Sequence, residues 1–231
     1  MVLLATSLGL IIAASLAFAL FLLDSAKGVR EPLWALGVCL AIGLAAATAA
    51  GVLNAIFLPA DIFSLPATTT TALQLGFVPA IIEELLKTLP IVWFLGQQPF
   101  FDDYVDGVIF FAFSGLAFGV YENIDYTLRF GAQVGVGRLA TMLFFHAATA
   151  GIFGYAYARS RRDGQWLRAI LVMLGIISVH ALYNYSLVMM REVPALRFVA
   201  LVLPMFTTAG LIAIFIRARR LDRQPKSRRS Q

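Results

Sequence analysis

Charge is scarce in this chain. Only 13% of its 231 residues are Asp, Glu, Lys or Arg, while 60% are hydrophobic, and mean hydropathy is +0.84. An ordinary soluble domain carries about 25% charged residues, so a conventional soluble globular domain is excluded. Cysteine is nearly absent as well. The one present, Cys39, lies in an apolar run, which rules out an internal disulfide and leaves the role of a small buried side chain. Neither a sequence repeat nor a soluble domain is evident. The first apolar run has no basic leader before it and further runs follow directly, so it reads as a retained helix rather than a signal peptide. The net charge of +5 is spread between and after the apolar runs, a pattern that suits membrane topology better than nucleic acid, and no nucleic-acid partner is expected.

What is present is a series of apolar runs long enough to cross a bilayer. The expected fold class is all-α, a polytopic transmembrane helical bundle of about seven helices, with spans near 3–23, 33–58, 77–95, 104–127, 138–159, 167–190 and 198–216. These form one domain over 1–216, and the basic, Pro- and Ser-containing stretch 217–231 is expected to be a disordered cytoplasmic tail. Pro59, Asp61, Ser64, Pro66 and the threonine run 68–71 form a loop that caps the membrane face or carries a short interfacial helix. Asp102, Asp103 and Asp106 open the fourth span, where acidic residues suit the positive end of the helix dipole. The GLAFG stretch at 115–119 offers a close-packing surface. Lys27 and Arg30, then Arg159, Arg161, Arg162 and Arg168, then Arg217, Arg219 and Arg220 all fall on one side of a seven-span bundle. The positive-inside rule assigns that side to the cytoplasm, with the N-terminus outside.

The third span carries Glu83, Glu84 and Lys87 at its centre. An ionised group at membrane depth costs several kcal/mol, roughly 3 on insertion scales, so it marks a functional site by default. Lys87 stands at helical spacing from both glutamates and can neutralise one of them. The other then needs a proton, a metal or another partner. Under the expected topology these residues, Glu122 late in span four, His146 about two turns into span five, and His180 with Asn184 in span six converge in the outer half of the bilayer. A structural reading exists for each group alone, as ion pair or packing residue; the convergence of the whole set favours chemistry.

That chemistry is attack of water on a peptide carbonyl. Glu83, His146 and His180 can hold a divalent metal, zinc by preference, with Glu84 as proton acceptor. Without metal, one glutamate and a histidine can activate water while the other histidine and Asn184 stabilise the oxyanion. Glu122 and Asn123 read as supporting groups, and Arg138 as a partner of Glu122 or an interface anchor. A proton-coupled transporter is the rival reading, since it too places carboxylates and imidazoles inside a bundle, although no inverted repeat is seen.

The ordered set EELLK at 83–87, DGVIFFAFSGLAFGVYEN at 106–123, His146 with Gly151 after it, and HALYN at 180–184 resembles the PrsW family of intramembrane proteases. That family lies within the wider superfamily that includes the CAAX prenyl endopeptidases. Where the superfamily usually has Arg after its paired glutamates this chain has Lys87, which fits the PrsW-like branch. The resemblance covers about 77–190. It implies catalytic roles for Glu83, Glu84, His146 and His180, assistance from Asn184, and a membrane-anchored protein substrate such as an anti-sigma factor, cut on the extracytoplasmic side of a bacterial cytoplasmic membrane. It leaves metal dependence open.

Overall fold

A computed structural model of the chain describes residues 2–25, 32–142 and 144–224. The chain is all helical: α1 Val2–Ser25, α2 Leu33–Phe57, a single 3-10 turn at Ile62–Ser64, α3 Thr69–Phe94, α4 Tyr104–Phe130, α5 Ala132–Thr141, α6 Phe145–Asp163, α7 Trp166–Met189 and α8 Leu196–Asp222. The expected bundle of long helices is present, with the ten-residue α5 added to it. Among the described residues five helices, α1, α2, α4, α7 and α8, are long and apolar enough to cross a membrane, and the protein is an integral membrane protein. The two other long helices are those burdened with charge: α3 carries Glu83, Glu84 and Lys87, and α6 ends in Arg161, Arg162 and Asp163.

At the centre α4 packs along α6. Two glycines set that approach, because a Cβ on Gly107 would run into the Gly154 carbonyl and a Cβ on Gly154 into that of Gly107. Further along, a Cβ on Gly115 would meet the carbonyl of His146. The GLAFG stretch thus brings the α6 backbone against α4 at the level of a histidine. Phe110, Phe111 and Phe153 fill the remaining space.

One end of the bundle is tied by polar contacts. Asp103 and Asp106 form a capping box on α4. The Asp222 carboxylate, from the end of α8, accepts from the backbone N–H groups of Tyr104 and Val105 at 3.2 and 2.9 Å. Arg161 donates to the Phe101 carbonyl at 2.8 Å and Arg162 to that of Asp102. Two of the three basic clusters therefore share this end; Lys27 and Arg30 lie outside the described residues.

Three boundaries differ from expectation. α3 begins at Thr69, within the threonine run read as loop, because the Thr68 side chain accepts from Thr71 N–H and caps it. α8 continues to Asp222, beyond the expected end at 216, since the Asp222 carboxylate in its last turn accepts from the first N–H groups of α4; residues 225–231 of the expected tail lie outside the described residues. The fifth span is divided. Gly131, at φ +92°, turns the chain into α5, whose Gly135 and Gly137 weaken it as a helix, and α6 starts only at Phe145. His146 accordingly sits in the first turn of α6, not two turns in.

Candidate active site

The polar residues converge between α3, α4, α6 and α7, away from the basic end. Counted along the helices, Glu83 is about 17 Å from the α3 terminus at that end, His180 about 21 Å from the α7 start, and His146 and Glu122 about 26 and 27 Å from theirs. Pro32, Phe94, Tyr104, Asp163 and Trp166 mark that basic end.

Lys87 organises one half of the cluster. Its side chain is fully buried, and its three N–H groups have three acceptors: Glu84 Oε1 at 2.8 Å, Thr149 Oγ1 at 2.9 Å and His146 Nδ1 at 3.2 Å. Both glutamates stand at permissible spacing from Lys87, and packing selects Glu84. An ammonium only donates, so Nδ1 of His146 is an acceptor. The proton of the neutral ring is then on Nε2, which donates to Glu122 Oε2 at 2.7 Å. Glu122 also takes Arg138 Nη2 at 2.7 Å, and Arg138 Nε reaches Asn123 Oδ1 at 3.2 Å while the guanidinium lies over the Tyr126 ring. The short α5 thus delivers Arg138 onto Glu122, as the pairing reading of this arginine anticipated.

His180 is held from the other side. Its Nδ1 lies 2.8 Å from Glu84 Oε1 and donates to it, which leaves the Nε2 lone pair facing Glu83 Oε2 at 3.6 Å. Phe145 packs edge-on to this ring, and the two imidazole centroids are 5.3 Å apart.

Glu83 is the group without a cation. Oε1 accepts from Asn54 Nδ2 at 3.4 Å, and Oε2 is buried with no hydrogen-bond partner among the described residues. Glu84 Oε2 is also unpartnered, but its carboxylate already neighbours Lys87. Counting charges, Lys87 and Arg138 balance two of the three carboxylates Glu83, Glu84 and Glu122, and one negative charge is left over at Glu83. Such a buried charge calls for a proton or a cation. One oxygen of Glu83 and one nitrogen from each of His146 and His180 all lie within 4.8 Å of one another. This Glu/His/His cluster is capable of coordinating a divalent metal.

Glu83, Glu122, Arg138 and the half-buried Asn184 line a cavity of about 580 Å³. Glu84, Lys87 and Thr149 sit behind them. Two further residues join the site without a signal in the sequence: Thr149, one turn after His146 on the same face, and Asn54 of α2, which reaches Glu83 across the bundle.

The fold and the site define a polytopic membrane helical bundle that gathers carboxylates and imidazoles beside a cavity. Residues 31–211 match the model of the PrsW family intramembrane metalloproteases, and the chain belongs to that family. It is 26% identical over 114 residues to "Protease PrsW" of Geobacillus kaustophilus, a stretch covering 47% of this chain and 49% of the relative. To "Protease PrsW" of Oceanobacillus iheyensis it is 25% identical over 113 residues, 48% and 53% of the two chains. The chain spans about half the length of these curated relatives. No solved structure matches it.

Proposed function

We propose that the chain is an intramembrane endopeptidase that hydrolyses a peptide bond of a membrane-anchored protein on the extracytoplasmic side of a bacterial cytoplasmic membrane. A membrane-anchored anti-sigma factor is the substrate that the family resemblance implies. The observation that carries the reading is Glu83: a buried carboxylate with no cation and one oxygen unpartnered, on the wall of a cavity and within ligand reach of two histidines.

In this reading Glu83, His146 and His180 would hold a divalent ion, zinc by preference, and the ion when bound supplies a Lewis acid and a water of lowered pKa. The remaining work falls to the chain's own residues. Glu84 Oε1 keeps the His180 ring turned so that Nε2 faces Glu83, and Lys87 fixes Glu84 and His146 together. For His146 to ligate through Nε2 and stay neutral, its ring would pass the Nε2 proton to Glu122, 2.7 Å away, and take one on Nδ1 from Lys87, 3.2 Å away. Proton acceptance from the attacking water is assigned in this reading to Glu84, whose Oε2 has no hydrogen-bond partner among the described residues. Asn184 is placed to donate to an oxyanion.

A metal-independent reading draws on one observation: both nitrogens of His146 already have partners, Lys87 and Glu122. There Glu83 accepts the proton of the water directly, and His180 with Asn184 faces the developing oxyanion. Purified protein in proteoliposomes, offered single-span reporter peptides with randomised juxtamembrane residues, distinguishes the two. Loss of cleavage on chelation with recovery on zinc addition is expected. Full cleavage by verified metal-free protein would establish the glutamate–histidine mechanism, and no cleavage by metal-loaded protein would reject the peptidase reading.

Orientation is part of the proposal, with the N-terminus outside and the C-terminus cytoplasmic. Cysteines placed at Gly164 and Gln165, in the turn between α6 and α7, are expected to react with an impermeant maleimide only after the cytoplasmic face is opened. Labelling from outside in intact cells would invert the assignment.

A further inference from the structure

Two cavities reach the candidate active site, one on each side of the last turns of α2. The first runs from Pro59 and Ile62 past Leu75 and Pro79 of α3 toward Leu187 of α7. The second, about 570 Å³, lies between α2 and α4, from Ala47 and Thr48 to Tyr121 and Phe130. Both are walled by Gly51, Asn54 and Ala55 on α2 and by Glu83, Glu122 and Tyr126 opposite. The two therefore meet at the carboxylates.

A peptide bond inside a transmembrane helix is a poor target, because its carbonyl is hydrogen-bonded within the helix and screened by side chains. It has to be unwound before attack. An unwound stretch in lipid needs other partners for its N–H groups, and it is tolerated only where protein or a wet cavity supplies them. The shared wall supplies such acceptors. Asn54 Oδ1 is buried and has no hydrogen-bond partner among the described residues. Pro79 lacks the N–H that the Leu75 carbonyl would otherwise accept, and both residues line the first cavity.

The bend itself is built from small residues. A Cβ added to Gly51 would meet nothing within 4 Å, so the space beside it is open. We propose that the two cavities are the arms of one passage in which an extended stretch of a membrane-anchored polypeptide lies across Glu83 and Glu122, and that Gly51 sets the size of the substrate side chain admitted at the bend. This rests on the peptidase reading, and Asn54 serves in it as a reader of the substrate backbone.

The test uses the randomised single-span reporters in proteoliposomes, with products sequenced by mass spectrometry. Gly51→Leu fills the bend without meeting the fold. It is expected to lower kcat/KM at least about tenfold through KM, as a misfitting group in a sized pocket does, with residual products enriched in Gly and Ala next to the cut. Ala55→Leu, one turn on along the same wall, should act in the same direction. Gly37→Leu is the control: it is on the same helix, its added Cβ also meets nothing within 4 Å, and it lines neither cavity; cleavage should be unchanged. Wild-type activity retained within twofold by Gly51→Leu overturns the passage while leaving the peptidase reading intact. A uniform loss of all products, without a change in their sequences, also counts against it. Absence of cleavage by the wild-type protein removes the peptidase reading instead.

Discussion

Glu83→Gln is expected to lower peptide hydrolysis by at least about 10³-fold, in the range of losing a general base or a ligand that activates water, while the melting temperature of the chelator-treated protein stays level or rises. Glutamine keeps the size and polarity of the side chain, so the Asn54 contact has a partner still. What disappears is the buried negative charge that no cation balances. Such a charge weighs against the fold, and its removal relieves that cost. A functional group maintained against stability gives this opposite pair of signs, whereas a group kept for structure loses stability along with activity. Cleavage of the reporter peptides and thermal melting in the same detergent read both quantities. A Glu83→Gln protein with more than a tenth of wild-type turnover would contradict the assignment under either mechanism.

The Lys87–Glu84 pair should behave in the contrary way. Both side chains are fully buried, and their 2.8 Å contact is backed by Thr149, His146 and His180. Lys87→Met leaves Glu84 without its cation, and removal of one partner from a buried pair typically costs about 3–5 kcal/mol. Glu84→Gln is expected to destabilise also, since the neutral amide leaves the buried ammonium without its counter-charge. The double variant Lys87→Met/Glu84→Gln buries no charge at this position and should recover a good part of the loss, with a coupling of about 1–3 kcal/mol in a double-mutant cycle. Unfolding of the four proteins by denaturant in one micelle gives the cycle. Additive losses would show that the two charges do not act as a pair. Glu84→Gln should also lose activity, through the released His180 ring, and the stability change separates this effect from that of Glu83→Gln.

The distinction between the two neighbouring glutamates shows how far residue spacing reaches. Lys87 is three residues from Glu84 and four from Glu83, and on an isolated helix both pairs are allowed. The choice is made by the rotation of α3 within the bundle, which brings Thr149 of α6 and His180 of α7 to the Glu84 side and turns Glu83 to the cavity. Thr149 carried no signal of its own, since a threonine in an apolar run is ordinary. Asn54 lies 29 residues from Glu83 in the chain, and nothing in either neighbourhood ties one to the other.

Arg138 and His146 illustrate a boundary that apolar patterning blurs. The stretch 138–159 is apolar enough to read as one span, but α5 ends at Thr141 and α6 begins at Phe145, which puts His146 in a first turn. The same break frees α5 to cross toward α4 and place Arg138 on Glu122.

By itself the sequence determined the solvent and the architecture that follows from it: with so little charge the chain must live in lipid, where backbone groups are satisfied within helices or closed barrels, and apolar runs of about 20 residues select helices. It also singled out Glu83, Glu84, Lys87, His146 and His180, costly at membrane depth, which the bundle brings into one cluster. The tertiary structure alone decided their division of labour. Ion pairing, ring orientation and exposure to the cavity depend on the rotation and depth of one helix against another, and those are set by side-chain packing between segments far apart in the chain, such as Gly107 on Gly154 and Gly115 on His146.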